Sequence, residues 1–474
     1  MTEKPVLVVD LDGTLLRSDI LFETFWSAIG RSRMNMVRGG RALLHGKAAL
    51  KRILAEEGPI DVATLPYDAQ VVAYVEKWRA EGGKAALVTA SDENIAQSIQ
   101  AHLGVFDEVY GSDGVRNLKG PNKAAFLTEH YSKEGFAYMG DAAADIPVWS
   151  KASKAITVNV SAALSRQVND LGQEVEHLET VSSSIRPYLK AIRPHQWLKN
   201  ILVFLPMLTA HQYDFQTFFY SLLAFIAFSV VASSAYVFND LLDLAADRAH
   251  PRKCERPFAS GAIPIAHGTW MGIGLLLTGL IIASLVNGLL LLVLVGYYII
   301  TMAYSLDLKR RTIVDICTLA GLYTLRIAAG GAATSLVLSV WLLAFSIFFF
   351  LALAAVKRQA ELVDSAKRGK LEASGRGYIV DDLPLISQVA ISAGYVSVLV
   401  MALYVNSPTV IQLYSYPVAL WGVCLILLYW ITRIVMITHR GHMDDDPVVF
   451  AAKDRISQIC FLVILACALG GALL

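Results

Sequence analysis

The chain has 474 residues, of which 55% are hydrophobic and 17% charged, and a net charge of +1 at pH 7. That net charge says little, since it averages over unlike halves. Nucleic-acid binding has no support because the basic residues track one side of the membrane, and five scattered cysteines, Cys254 to Cys467, give neither a disulfide framework nor a zinc pattern. The averages hide two unlike halves. Residues 1 to about 185 read as a soluble α/β domain, and from about 195 onward apolar runs dominate, as in a polytopic membrane domain.

The chain opens on a short predicted strand, Pro5 to Val9, running into Asp10, so no signal peptide is expected. Asp10 and Asp12 stand two apart in Asp-Leu-Asp-Gly-Thr. A second apolar strand, Ala85 to Val88, ends in Thr89 and Ser91. Lys123 follows Lys119-Gly-Pro-Asn, and a third strand leads to Gly140-Asp141-Ala-Ala-Ala-Asp145. Each polar group falls at the carboxyl end of a predicted strand, where open α/β sheets bind their ligands. The set suits phosphoryl transfer: one carboxylate attacks phosphorus and another handles the proton. A hydroxyl and an ammonium hold phosphate, and further acids complete a magnesium site.

These four motifs, in order over about 135 residues, resemble those of the haloacid dehalogenase (HAD) phosphatase superfamily. The resemblance implies a Rossmann-type parallel sheet with Asp10 as nucleophile and Asp12 as general acid/base. It implies phosphate binding by Thr89, or by Ser91 in the same role, and by Lys123. Mg²⁺ would be supported by Asp10, Asp12, Asp141 and Asp145. The helical stretch of about residues 19–80 resembles the small cap of such phosphatases. Its first part, Ile20 to Ala55, carries Arg31, Arg33, Arg38, Arg41, Lys47, Lys51 and Arg52 against Glu23 alone, interleaved with Phe22, Phe25 and Trp26. That face is either ordinary solvated surface or one that lies on anionic headgroups and takes a lipid-linked phosphate.

Nine membrane spans are expected, near 195–211, 216–242, 267–287, 289–306, 312–330, 336–361, 384–404, 411–438 and 456–473. Lys and Arg crowd the loops on one side (Arg248 to Arg256, Lys309 to Arg311, Lys357 to Arg376, Arg440 to Arg455), and the loops on the other side have none. The positive-inside rule puts the N-terminal domain and the basic loops in the cytoplasm, at the inner (cell) membrane, with Leu474 opposite. Where the second span ends, Asn239, Asp240, Asp243 and Asp247 share one helical face. Three acids on one stripe repel unless a cation sits between them, which suits Mg²⁺ held together with a ligand's phosphates. The bland alternative is a solvated helix end. Tyr304, Lys309 and Arg310, Lys199 before the first span, and Lys357 and Arg358 ending the sixth add donors at the same face. Arg326, deep in the fifth span, should face the bundle interior or cap a broken helix.

Nine spans with an NDxxDxxxD run after the second resemble the UbiA superfamily of intramembrane transferases over about residues 186–474. Its second acidic motif is replaced here by Tyr304-Ser-Leu-Asp-Leu-Lys309-Arg310. RPHQWLKN (193–200), NDLLDLAADRAHPRKCERPFASG (239–261), YSLDLKR (304–310), Gly375-Arg-Gly-Tyr378 and the His439–Arg455 loop together resemble the polyprenyl-phosphate phosphoribosyltransferase branch. That likeness implies phosphoribosyl pyrophosphate as donor and polyprenyl phosphate as acceptor. Mg²⁺ on the pyrophosphate would be held by Asp240, Asp243 and Asp247. Substrate would be bound by Asn239, Lys199, Arg256, Lys309, Arg310, Lys357 and Arg358, with Tyr304 lining the pocket. The expected whole is an α/β HAD-like domain at 1–185 followed by an all-α nine-helix transmembrane UbiA-type bundle at 186–474, compatible with a homo-oligomer. Its HAD domain would strip the 5-phosphate from the transferase product. Two alternatives stand beside it: a prenyltransferase for an aromatic acceptor, and a transporter or lipid-binding protein.

Overall fold

The computed structural model describes residues 4–31, 54, 58, 60–112, 118–180, 184–369, 376–443 and 446–473. Most of the basic cap stretch, from Arg33 to Arg52, lies outside the described residues. The chain forms two compact units: Met1–Arg193 with Tyr236–Ile273, and Pro194–Ala235 with Gly274–Leu474.

The first unit is built on a six-stranded sheet of β1 (Val6–Val9), β2 (Ala85–Asp92), β3 (Glu108–Ser112), β4 (Phe136–Gly140), β5 (Lys154–Val158) and β6 (Glu174–Leu178). All pairings are parallel, in the order β3-β2-β1-β4-β5-β6. The helices α1 (Ile20–Arg31), α2 (Ala69–Ala80), α3 (Glu93–Leu103), α4 (Pro121–His130) and α5 (Ala162–Asn169) complete the αβ alternation. Side chains alternate along a strand. Leu7, Val9, Leu87 and Met139 therefore enter one core, and Val6, Val8, Val88 and Tyr138 the core on the opposite face. A sheet covered on both faces reads as continuous apolar runs, which is why its central strands were visible in the sequence. Asp92 caps α3 by accepting from Asn94 N–H, and Gly104 closes that helix in the left-handed region. β1 lies between β2 and β4, so the chain order reverses there and the loops leaving the strand ends diverge into a crevice.

Eight described helices are long and apolar enough to cross a membrane. They are α6 (Phe215–Leu242), α8 (Ile265–Val286), α9 (Gly288–Leu306), α10 (Val314–Thr334), α11 (Val340–Lys367), α12 (Leu383–Val405), α13 (Trp421–His439) and α14 (Arg455–Leu473), with a short α7 (Leu244–Arg248) after α6. The first expected span, 195–211, is not a regular α-helix. Pro194–Phe204 is a 3₁₀ helix, followed by the short α-helix Leu205–Thr209. Pro206 stands in the first turn of that α-helix, where its missing N–H is tolerated. In the second unit α10 to α13 share an apolar core of Ile327, Phe350, Leu353, Ile386, Trp430 and Ile434. Gly394 lets α12 and α13 approach closely, since a Cβ there would lie 2.4 Å from the Ile431 side chain.

Candidate functional sites

At the crevice beside β1, Asp10, Asp141 and Asp145 bring carboxylate oxygens within 4.8 Å of one another, the one such acidic set among the described residues. Lys123 Nζ, side chain 2% exposed, lies 2.9 Å from Asp10 Oδ1 and donates to Tyr138 Oη at 3.0 Å. Tyr138 in turn donates to Asp145 at 2.9 Å. Thr14 donates to Asp141 at 3.4 Å. Gly13 sits at φ +77, and a Cβ there would meet Asp141 Oδ2 at 2.1 Å. Only glycine fits that approach. The Asp12 carboxyl turns aside from the acidic set. It accepts from Ile20 N–H at 2.8 Å and from Ser91 Oγ at 2.6 Å, while Thr89 Oγ1 accepts from Ser91 N–H.

Burial, with the Asp19 charge beside it, pushes the Asp12 carboxyl up to about 7. Burial and the Asp10 and Asp145 charges push Asp141 up to about 8. Burial and Asp10 raise Asp145 to about 6 against the pull of Lys123. Crowded carboxylates in a partly dry crevice resist ionising together, and a divalent cation between them removes that conflict. The residues present fit a Mg²⁺ ion with Asp10, Asp141 and Asp145 as ligands.

The acidic run is built differently from the expectation. α6 ends at Leu242, Asp243 leaves helical geometry at φ −97 and ψ 10, and α7 resumes at Leu244. Asp240 and Asp247 are both buried, and one guanidinium joins them: Arg256 NH1 lies 3.0 Å from Asp240 and 2.6 Å from Asp247. Arg193 closes on Asp240 at 2.5 Å. Asn239 donates to Asp243 at 3.1 Å. Burial raises the Asp247 carboxyl against the pull of Arg256. Arg193 and Arg256 thus supply positive charge to two of the three acids of the stripe.

The second unit holds two further polar clusters. Lys199 is paired with Asp446, and Lys357 Nζ is 4.0 Å from the same carboxylate. Burial opposes the Asp446 charge, but the two ammoniums hold its carboxyl below the usual range. In the other cluster Asp315, fully buried, accepts from Tyr304 Oη at 2.7 Å and from Arg376 NH1 at 3.2 Å. Arg358 NH2 lies 2.6 Å from Asp315 Oδ2, an ion-pair contact rather than an aligned hydrogen bond. Glu361 pairs with Arg358 and with Arg376, the latter at 3.3 Å. Arg326 is 5% exposed and donates from Nε to Asn200 Oδ1 at 2.9 Å and from NH1 to the Leu322 carbonyl. It also lies over the rings of Phe228, Tyr297 and Tyr323.

The UbiA prenyltransferase family model matches residues 200–452, more than half of the chain. The protein belongs to the UbiA prenyltransferase family. Residues 7–150 match the haloacid dehalogenase-like hydrolase model, so this UbiA chain carries an N-terminal HAD domain. A UbiA-and-HAD chain is not isolated. Protein y4nM of Sinorhizobium fredii is 37% identical over 95% of this chain and 88% of its own length. Nodulation protein NoeC of Azorhizobium caulinodans is 36% identical over 58% of this chain and 90% of that protein. The decaprenyl-phosphate phosphoribosyltransferase of Mycolicibacterium smegmatis is 32% identical over 58% of this chain and 88% of that enzyme.

Within the UbiA part, Asp240 and Asp247 come together through Arg256. Lys199 and Lys357 come together through Asp446. Tyr304 and Arg358 meet at Asp315. Lys309 is half-buried and Arg310 exposed on a 3₁₀ turn, Leu308–Arg310. Arg358 is fully buried between Asp315, Glu361 and the Tyr378 ring, so Arg376 is the more accessible guanidinium of its cluster. Sequence reasoning missed Tyr138, Arg193, Asp315, Arg376 and Asp446 as site residues. All but Tyr138 stand in motifs already quoted or beside them. Tyr138 sits in an apolar strand and carries no signal of its own.

Proposed function

We propose that this protein is a bifunctional membrane enzyme of lipid-linked pentose synthesis. Its UbiA part, residues 186–474, transfers phosphoribose from phosphoribosyl pyrophosphate to a polyprenyl phosphate. Its HAD part, residues 1–185, removes the 5-phosphate of the product. The observation that carries the reading is the pairing of Asp240, Asp247, Asp446, Asp315 and Glu361 with Arg or Lys: Arg193 and Arg256, Lys199 and Lys357, Arg358 and Arg376. Two polyanionic substrates call for such a gathering of cationic groups more than an aromatic acceptor does. Similarity to a decaprenyl-phosphate phosphoribosyltransferase over most of that enzyme's length supports it.

In the transfer, a lipid phosphate oxygen forms a bond to C1 of the ribose as the C1–O bond to pyrophosphate breaks and pyrophosphate departs. The lipid phosphate is already anionic, so no strong base is required. Asp240, Asp243 and Asp247 are the proposed Mg²⁺ ligands, where the ion must compete with Arg193 and Arg256 for the carboxylates. Asn239, Lys309 and Arg310 are proposed substrate ligands, and Tyr304 a pocket wall. In the phosphatase, Asp10 attacks phosphorus to give an aspartyl phosphate while Asp12 protonates the departing ribose oxygen. Asp12 then takes a proton from the water that releases phosphate. With its carboxyl raised to about 7, Asp12 keeps a proton to donate near neutrality. Lys123, Thr89 and Ser91 hold phosphate oxygens. Mg²⁺ at Asp10, Asp141 and Asp145 would neutralise the phosphoryl charge.

The basic loops and the catalytic parts are proposed to face the cytoplasm by the positive-inside rule. The test is transfer of labelled phosphoribosyl pyrophosphate to polyprenyl phosphate with Mg²⁺. Asp240→Asn should abolish lipid labelling, and Asp10→Asn should keep it but trap the phosphorylated lipid. Consumption of an allylic diphosphate, with phosphoribosyl pyrophosphate inert, would replace this reading by prenyl transfer.

A further inference from the structure

The acidic-run segment does more than end a membrane helix, because it packs into the first unit beside the phosphatase loop. Arg248, one residue after Asp247, forks onto Glu23 of α1: NH2 to Oε1 at 2.7 Å and NH1 to Oε2 at 3.0 Å. The side chains are 6% and 4% exposed, so this ion pair is dry. Its spare donors and acceptors are used. Arg248 Nε donates to the Ala259 carbonyl at 3.2 Å, and Ser18 Oγ donates to Glu23 at 2.6 Å. Trp26 of α1 donates to Thr269 at 3.0 Å and packs against Phe238 with centroids 5.6 Å apart. Gly261, at φ +70, lies so close to Arg17 and Pro66 that a Cβ would meet each at 2.9 Å.

The clamped helix is the one that orients the acid. Ile20, its first residue, gives the N–H that Asp12 accepts, and Gly13 N–H donates to the Ser18 carbonyl at 3.1 Å. A chain of contacts therefore runs from Arg248 through Glu23 and Ser18 to the loop that carries Asp12. A buried ion pair costs desolvation and is weak evidence for stability alone. Its fork geometry does restrict where α1 can sit.

We propose that Glu23 and Arg248 are positioning residues of the phosphatase, through which the acidic-run segment holds the Asp12 loop in working geometry. The proposal rests on the HAD phosphatase reading above, but not on the identity of the lipid substrate. The full-length protein is assayed with p-nitrophenyl phosphate, with Asp10→Asn as the background. If wild type shows no hydrolysis above Asp10→Asn, the phosphatase reading itself fails. Otherwise Glu23→Gln and Arg248→Gln are expected to lower kcat by about 10- to 100-fold with KM unchanged, up to the lower limit of the roughly 10²- to 10⁴-fold that general acid–base catalysis supplies, since the acid is displaced and not removed. Arg248→Lys keeps the charge and should recover part of that loss. It also decides the matter should either neutral variant not fold. Labelled phosphoribosyl transfer and the melting temperature report whether each variant is intact. Values of kcat within twofold of wild type in the folded variants would overturn the proposal, as would a rise in KM with kcat unchanged.

Discussion

At the scale of single residues, the phosphatase crevice depends on an absence of side chain as much as on its acids. Gly13 holds a positive φ and leaves space that Asp141 occupies. Gly13→Ala should displace that carboxylate and lower Asp10-dependent hydrolysis by at least about tenfold, measured as kcat on a soluble phosphate ester. Arg326 raises a different question, a guanidinium enclosed by the bundle. Its partners are an amide oxygen, a carbonyl and aromatic faces rather than a carboxylate. Arg326→Met would leave Asn200 Oδ1 without its donor and remove three cation–π contacts. A loss of about 1–3 kcal/mol is expected, the usual cost of orphaning a buried polar group, read from melting in detergent. The sequence predicted an inward-facing Arg326 but not its partner, since Asn200 stands 126 positions away.

At the scale of elements, the strand ends of β1 and β4 gather acids whose charges oppose one another. Asp141 is raised to about 8 and Asp145 to about 6. A carboxyl whose folded-state value lies above its unfolded value binds more protons when folded, so stability falls as pH climbs. Without a divalent cation, the protein should therefore lose melting temperature between about pH 4 and pH 8. Mg²⁺ should restore it, more at pH 8 than at pH 5. Scanning calorimetry of the full chain with and without chelator checks the sign. The segment before α6 concerns topology. Its 3₁₀ helix advances about 2.0 Å per residue. Laid end to end with Leu205–Thr209, Pro194–Phe204 reaches on the order of 30 Å, the depth of a bilayer core, with fewer residues than an α-helix needs. A cysteine placed at Gln212 should thus react with an impermeant thiol reagent from outside. One at Arg311 should react only after permeabilisation.

At the scale of the whole molecule, the fusion puts a HAD domain and a UbiA bundle in one chain, and so the two proposed activities in one membrane. Tethering raises the effective concentration of the second enzyme around the first one's product. Wild type in vesicles should release unphosphorylated lipid-pentose without a lag. An equal mixture of Asp10→Asn and Asp240→Asn chains in one bilayer should release it only after the phosphorylated lipid has built up, as followed by chromatography of labelled lipid. By itself the sequence determined the division into a parallel α/β domain and a multi-span bundle, because apolar runs of span length and buried strands are local patterns. It also singled out Asp10, Asp141 and Asp145, acids at strand ends that the fold brings together. Only the tertiary structure decided how charge is balanced. Arg193 and Arg256 on Asp240, Asp446 between Lys199 and Lys357, and Glu23 against Arg248 join residues up to 247 positions apart. A local pattern can say that an acid is buried and needs a positive partner. Which cation meets it is a matter of packing, since the desolvated pair forms only where the fold brings both groups into the same dry space.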